Sequence, residues 1–204
     1  MDGKNIKKGS LNCLISKMTC VDIAKNLRAL LDAGASIDVD ELVKHLSSWD
    51  IADNLATLID CGAQIDMDEF TKRLYPKDTI EHLETLLKYG AKIDMVALVD
   101  RALPETLNEN AETLLKHGAN ADQMVEKFEP WMTLKNLGVL LAYGANIDLD
   151  ELMSHHFSKD DKLRSLDALV EAGAEVDIGA LIESMFVVDF GEFAGVLAKY
   201  CVAG

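Results

Sequence analysis

The sequence predicts an all-α protein, an α/α solenoid of about seven helix-turn-helix repeats with little or no β-structure. Three observations lead to this prediction. A nine-residue motif, Leu-Leu-x-x-Gly-Ala-x-Ile-Asp in its commonest form, recurs six times with successive copies 26 to 29 residues apart. Apolar residues before each motif recur at helical spacing, and residues that start and stop helices flank them. A period of this length is typical of stacked repeat proteins.

Positions are counted from the glycine of each copy, which is position 0. The six glycines are Gly34, Gly62, Gly90, Gly118, Gly144 and Gly173. The eleven residues before each glycine predict an amphipathic helix, called helix B. Leucine or a close substitute occupies −7, −4 and −3, which together form one apolar stripe. The leucines at −4 are Leu30, Leu58, Leu86, Leu114, Leu140 and Leu169.

Residues with short polar side chains at −12 are the predicted N-caps of helix B. They are Asp22, Asp50, Asp78, Thr106 and Asp161, and also Asp189 in a seventh, C-terminal copy where Cys201 stands at the glycine position. Glutamate three residues later would complete a capping box in three copies, at Glu81, Glu109 and Glu192. The three prolines lie at −14, where they would end the preceding helix just outside helix B: Pro76, Pro104 and Pro130. The glycine supplies the left-handed residue that ends helix B.

Aspartate at +4 is the predicted N-cap of a second, shorter helix A. These residues are Asp38, Asp66, Asp94, Asp122, Asp148 and Asp177. Glutamates at the third helical position would close capping boxes at Glu41, Glu69 and Glu151. Helix A carries apolar residues at +8, a pattern that the shorter fourth copy shifts to Met124, Val125 and Phe128. A metal or catalytic ladder is the alternative for the aspartates, but a metal needs several oxygens converging on one point.

The repeats predict a single repeat domain over residues 1–204. Residues 1–34 would form an N-terminal capping repeat, with a first helix A near residues 11–18. Residues 35–173 would form the central repeats, and 174–204 a C-terminal repeat or cap. Terminal repeats usually diverge, because one of their faces meets water instead of a neighbour.

Charge is unevenly distributed along the chain. The formal net charge is −15, and residues 1–28 hold six Lys or Arg against two Asp, a net of +4, so the remainder carries −19. Direct binding to nucleic acid needs basic patches, so this composition argues against it. An acidic surface is compatible with simple solubility, with a basic partner, or with imitation of nucleic acid.

The cysteines and apolar segments predict a cellular setting. Four cysteines occur without a CxxC pair, and Cys13 and Cys20 are expected to be small buried apolar residues. The N-terminus lacks the uninterrupted apolar stretch of a signal peptide, and no apolar run is long enough to cross a bilayer. We therefore expect a reduced cytoplasmic protein, monomeric and without membrane contact.

The motif Leu-Leu-x-x-Gly-Ala-x-Ile-Asp resembles the ending of the second helix in ankyrin repeats, and the likeness covers most of residues 19–204. The ankyrin opening Thr-Pro-Leu-His-x-Ala is absent from every copy, and the repeat is about five residues shorter than the ankyrin length of 33. The shorter repeat leaves no room for the projecting β-hairpin of ankyrins. The resemblance implies protein–protein binding on a curved helical face, but it carries over no individual contact residue.

Aromatic residues are the candidate contacts with a partner. Trp49 and Trp131 both lie at −13, in the predicted loop before helix B, without an apolar residue at −8 to pack on. Exposed tryptophans often anchor protein interfaces, whereas packing beneath the neighbouring loop is the alternative. Tyr89, His117, Tyr143 and Tyr200 recur at −1, where they could face a partner or cover the seam between repeats. Asparagines at −8 are expected to bond backbone of a neighbouring repeat.

No catalytic or cofactor-binding motif is present. The five histidines form no HExxH or closely spaced set with cysteine, and adjacent His155 and His156 would point apart on a helix. We therefore predict a non-enzymatic scaffold without cofactor or metal that binds another protein and prefers a basic one. The alternative is an acidic inhibitor that occupies the basic groove of a nucleic-acid-binding protein. Interspersed acidic and basic residues on the surface would count against such mimicry.

Overall fold

The computed structural model describes residues 8–183 and 187–201, with side-chain surroundings for 11–183 and 193–200. In this part of the chain every regular element is a helix, so the predicted all-α class is confirmed. The twenty helices are α1 Lys8–Ile15, α2 Cys20–Lys25, α3 Leu27–Asp32, α4 Val39–Lys44, α5 Ser48–Asp53, α6 Leu55–Asp60, α7 Met67–Lys72, α8 Pro76–Glu81, α9 Leu83–Lys88, α10 Met95–Arg101, α11 Pro104–Glu109, α12 Ala111–Lys116, α13 Ala121–Lys127, α14 Pro130–Lys135, α15 Leu137–Ala142, α16 Leu149–Ser154, α17 Lys159–Arg164, α18 Leu166–Glu171, α19 Ile178–Glu183 and α20 Val187–Cys201.

The chain divides into two compact units, Met1–Ile93 and Asp94–Gly204, here the first and second units. Within the first unit, α2 and α3 of one repeat pack on α6 of the next. Within the second unit, corresponding helices of successive repeats pack together, as α12 does on α15 and α15 on α18. The repeats inside each unit therefore bury their apolar stripes against their neighbours.

The predicted stripe forms the core. The apolar residues at −7 and −4 are buried in all six copies, and Leu55, Leu86 and Leu137 are among those removed from solvent altogether. The apolar residue at +8 of helix A is buried as well, for example Leu42 and Phe70. Burying a leucine side chain contributes roughly 1.5–3 kcal/mol, so these rows stabilise the packing of neighbouring repeats within each unit.

Helix B starts one turn earlier than predicted, at −14. The N-cap is the residue at −15, and the hydroxyls of Thr19, Ser47 and Ser158 accept a hydrogen bond from the amide of the aspartate at −12. That aspartate is therefore the third helical residue, and at Asp22 it completes the capping box. The predicted N-caps at −12 are wrong, and so are the boxes at Glu81 and Glu109, because those glutamates lie near the end of the six-residue helix. The side chains of Asp189 and Glu192 lie outside the described residues.

The three prolines occupy the first helical position of α8, α11 and α14, not a place outside the helix. A first-turn residue needs no amide hydrogen for the helix ladder, and the fixed φ of proline suits the helix. Each of these helices lacks a side-chain cap at −15, where Tyr75, Leu103 and Glu129 stand. In these six copies helix B therefore begins in one of two ways. Either Ser or Thr is the N-cap, three residues before an Asp, or proline is the first helical residue.

Helix B is also interrupted, at −8, into two six-residue helices in all six complete copies. The residue at −8 has φ between −100° and −120° and ψ near zero. Asparagine side chains donate to the carbonyl four residues earlier, as in Asn54 Nδ2 to Asp50 O at 2.8 Å. This local bond competes with a regular helix.

The asparagine row therefore bonds mainly within its own repeat, and the expectation of bonds to neighbouring backbone is wrong for Asn26, Asn54 and Asn110. Asn136 bonds its own repeat and also the Asn108 side chain of the preceding one. In the sixth copy Ser165 does bond neighbouring backbone, since its hydroxyl donates to Leu134 O at 3.1 Å. The residues at −8 thus stabilise the interruption of helix B, and in the second unit Asn136 and Ser165 also link neighbouring repeats.

The helix stop is confirmed in all six copies. Each motif glycine has φ between +84° and +103°. Its amide and that of the following alanine donate back into the last turn, as Gly90 N does to Leu87 O and Ala91 N to Leu86 O, both at 3.0 Å. This is the Schellman arrangement. A Cβ at these glycines would meet open space, so conformation alone demands glycine.

The predicted N-caps of helix A are confirmed at Asp38, Asp66, Asp94, Asp148 and Asp177. In the fourth copy the prediction is wrong, because Asn120 caps α13 and Asp122 lies inside the helix. The shorter turn of that copy starts the helix two residues earlier. The capping boxes predicted at Glu41, Glu69 and Glu151 do not form. Glu41 and Glu69 pair instead with Lys44 and Lys72.

Aspartates at the second position of helix A link successive repeats. Asp40 Oδ1 accepts the Gln64 amide at 2.8 Å, and Asp122 Oδ1 accepts the Asn146 amide at 2.7 Å. Asp68 accepts the Lys92 amide at the longer distance of 3.4 Å. Each bond joins the start of one helix A to the turn before the next, so these acidic residues fix repeat spacing as well as favouring the helix dipole.

The two ends of the chain are atypical. The predicted first helix A is present but earlier, as α1 Lys8–Ile15. The last helix B, α20, runs for 15 residues without the interruption seen in the other copies. Met185, which would continue the apolar pattern of the last helix A, lies outside the described residues.

Candidate protein-binding surface

Trp49 and Trp131 lie on helix B, not in a loop. Because the helix starts at −14, each tryptophan is its second residue, in the first turn of α5 or α14. Their exposed fractions are 48% and 44%. The indole nitrogen of Trp131 donates to Glu129 Oε2 at 2.9 Å, while the described contacts of Trp49 include no such bond. Both rings therefore present apolar surface to solvent.

Two further apolar residues share this location and escaped the sequence analysis. Tyr75 and Leu103 are the N-cap residues of α8 and α11, and their exposed fractions are 77% and 69%. The sequence contains a pattern that could have identified them: each is a large apolar residue immediately before a proline at the first position of a helix. We call Trp49, Tyr75, Leu103 and Trp131 the helix-B tips. The first two belong to the first unit and the last two to the second.

Tyr89 at −1 covers the seam between repeats. Its hydroxyl lies 3.1 Å from Asp60 Oδ1 in the preceding repeat, and its ring packs against the core of the first unit. The Lys88 ammonium lies 5.1 Å from the ring centroid. These contacts occupy the hydroxyl and much of the ring, so of the two interpretations of Tyr89 the structure favours the seam.

Tyr143 differs from Tyr89. Its exposed fraction is 48%, and Lys116 stands at the position that Asp60 occupies before Tyr89. No carboxylate is therefore available at that place to accept the hydroxyl of Tyr143. His117, the other predicted contact at −1, is half-buried. Among Tyr89, His117 and Tyr143, the side chain of Tyr143 is the most exposed.

Tyr200 belongs to a charged cluster near the end of the second unit. The Asp167 carboxylate accepts hydrogen bonds from Lys199 Nζ at 2.6 Å and from the Tyr200 hydroxyl at 2.7 Å. The bond from Lys199, followed by that from Tyr200, lowers the pKa of Asp167. The hydrogen bond that the Tyr200 hydroxyl donates to Asp167 raises the pKa of Tyr200. This cluster ties the last helix to the preceding repeat.

The second unit contains open grooves between repeats. One of about 310 Å³ lies between α13, α14 and α16, and its lining includes Phe128, Ile147, Asp148, Glu151 and Leu152. Another, of about 550 Å³, lies between α15 and α18 and is lined by small residues such as Gly138, Ala142 and Ala168. These grooves were not predicted from the sequence.

Potential ligands for chemistry do not converge in the described residues, where no three His, Cys, Asp or Glu side chains could hold one metal ion. His155 and His156 are both exposed, and the centroid of the His155 ring lies 6.3 Å from that of Phe157, with the two rings tilted. Cys13 is an exposed free thiol and Cys20 a half-buried one, so the expectation of burial is wrong for Cys13. Within the described ranges, no helix combines the length and apolar character needed to span a membrane.

Comparison of the chain with protein-family models, with curated protein sequences and with solved structures gave no match in any of the three.

Proposed function

We propose that this chain is a non-enzymatic scaffold, an ankyrin-like α/α solenoid of about seven repeats, that binds another protein through the helix-B tips. The exposure of Trp49 and Trp131 carries this proposal. The apolar stripes of the repeats are buried in packing, whereas these two indoles remain about half exposed. A shorter side chain at that position would be equally compatible with the helix. Tryptophan is enriched among residues that dominate binding energy at protein interfaces.

The preferred partner is a basic protein. The net charge of −19 over residues 29–204 would attract a basic surface and raise the association rate, while the helix-B tips would supply the desolvated contacts. Trp131 combines both features, because its ring stands beside the Glu129 carboxylate. Tyr143, at the opposite end of helix B, would form a second, separate contact in the second unit.

Imitation of nucleic acid is the less favoured function. Mimicry of a phosphate backbone needs acidic residues that no neighbouring base neutralises, but bases are interspersed in the first unit. Lys44, Lys72 and Lys92 pair with Glu41, Glu69 and Asp68 at 2.7, 3.3 and 3.7 Å. These exposed pairs dilute the acidic field, which supports the scaffold over the mimic.

The test is capture of proteins from cell lysate on the immobilised full chain, comparing wild type with the Trp49→Ala/Trp131→Ala double variant. Leu14→Ala is the matched control, because Leu14 is a similarly exposed apolar residue that lies on α1 and is not one of the helix-B tips. We expect a protein that wild type and Leu14→Ala retain and the double variant loses. Equal recovery by all three, or recovery by none, would refute the proposal.

Salt distinguishes the two functions in the same assay. Aromatic anchoring should survive 0.5 M salt, whereas mimicry of a phosphate backbone depends on charge and should weaken steeply.

A further inference from the structure

We infer that the groove between α13, α14 and α16 receives an arginine or lysine side chain of the partner. This inference rests on the proposed protein-binding function and assigns it a specific contact. The groove lies wholly in the second unit and has a volume of about 310 Å³. That is at the lower limit for small-molecule sites and suits a long side chain better than a whole cofactor.

Apolar side chains form part of the groove wall. Phe128 and Leu152 belong to the buried core and form its inner surface, and Ile147 comes from the turn before α16. Long basic side chains bury their methylene stems on such surfaces and keep their charged ends at the opening. An arginine or lysine stem would therefore remove apolar wall from water.

The charged residues of the groove are acidic. Its described lining contains the carboxylates of Asp148 and Glu151 and the imidazole of His155, with no lysine or arginine. Asp148 Oδ1 accepts the Glu151 amide at 3.0 Å, which holds the Asp148 side chain in place at the start of α16. Glu151 is the third residue of the same helix, so both carboxylates belong to the start of α16 and both line the groove.

Within the described residues, Glu151 has no lysine partner like those of Glu41 and Glu69. In α4 and α7 the glutamate at this position pairs with a lysine three residues later, Lys44 at 2.7 Å or Lys72 at 3.3 Å. In α16 the residue at that spacing is Ser154, whose hydroxyl donates to the Glu151 carbonyl. Of the two helices A that border this groove, α13 and α16, the one that carries Glu151 thus has a short neutral side chain in place of the neutralising lysine.

Charge complementarity therefore selects the occupant. A guanidinium can bond two oxygens at once and is weakly hydrated, so arginine should bind better than lysine. Anionic and purely apolar segments should bind less well, because they would leave the carboxylates of Asp148 and Glu151 uncompensated.

The test restores the missing lysine. Ser154→Lys should neutralise Glu151 without changing the groove wall, since the same glutamate–lysine pair occurs in α4 and α7. Gln64→Lys is the control: it adds the same charge at a turn position in the first unit where another repeat carries Lys92. Random heptapeptides displayed on phage are selected on the immobilised full chain, and the affinity of each selected peptide is measured for the three proteins. Circular dichroism verifies that each variant is folded.

We expect selected peptides to contain arginine or lysine, and replacement of that residue by glutamine to weaken binding about fivefold. Ser154→Lys should cause a similar loss and Gln64→Lys almost none, with binding shifting the amide resonances of Ile147 and Glu151. Uncharged selected peptides, no selected peptide at all, or affinities that Ser154→Lys leaves unchanged would overturn the inference. Peptides weakened by Trp49→Ala/Trp131→Ala but not by Ser154→Lys would overturn the groove assignment alone and leave the proposed function standing.

Discussion

Replacing one motif glycine tests the helix stop, and Gly90→Ala does so most cleanly. Gly90 has φ +91°, and an added Cβ would meet no atom within 4 Å. The cost is therefore conformational: about 1–2 kcal/mol for an L-residue in the left-handed region. Alanine also restricts the unfolded chain, which offsets about 0.4–1 kcal/mol. We expect a net loss of about 1 kcal/mol in the free energy of unfolding.

The assay is urea unfolding followed by circular dichroism, with the midpoint compared at constant slope. Gly90→Asn should cost less than Gly90→Ala, because asparagine enters the left-handed region more readily. Gly195→Ala is the matched control: Gly195 lies inside α20, its φ is not positive and its Cβ would also meet open space. Alanine there should stabilise by roughly 0.5–1 kcal/mol. A Gly90→Ala protein as stable as wild type would refute the reasoning.

The two remaining predictions concern acidic residues. Asp40→Ala removes the acceptor of the Gln64 amide and should lower the free energy of unfolding by about 1 kcal/mol, whereas Asp150→Ala, at the same position without such a bond, should change it little in urea unfolding. Asp167→Asn should destabilise at neutral pH, because Lys199 lowers the pKa of Asp167 in the folded chain. That contribution is present above the ordinary aspartate pKa of about 3.9 and is lost as pH falls through the lowered value. Unfolding midpoints of wild type and Asp167→Asn should therefore converge on acidification, and a constant gap would contradict this assignment.

The repeat, its buried stripe and its stop could be predicted because each depends on residues close in sequence. Glycine after an amphipathic segment has one common structural meaning, and all six motif glycines adopt it. The start of helix B was misplaced because two capping patterns overlap there. Asp at −12 resembles an N-cap, but in three copies Ser or Thr three residues earlier caps the helix and makes that Asp its partner.

The interruption at −8 has no single sequence signal. It occurs at asparagine in four copies, at His82 and at Ser165, and the corresponding residue of α20, Phe193, lies in an unbroken helix. The hydrogen bonds between repeats likewise could not be predicted from the sequence. The partner of Asp40 is 24 residues away, and the acceptor of Tyr89 is 29 residues away. Nothing local to either residue specifies those distances.

The candidate surface was predicted in part. The aromatic positions could be read from the sequence, but their exposure could not, since it depends on where the helix begins. The shift of one turn places Trp49 and Trp131 on a helix and turns Tyr75 and Leu103 into exposed N-cap residues. The groove at Glu151 arises from the packing of α13, α14 and α16, so only the folded chain displays it.

Hydrogen–deuterium exchange of the full chain, with and without the captured partner, tests most directly whether the helix-B tips bind protein. The account predicts slower amide exchange on binding in the first turns of α5, α8, α11 and α14, and no such change when Trp49→Ala/Trp131→Ala replaces wild type. Protection confined to the Gly-Ala turns, or spread along the acidic helices without the tips, would contradict it.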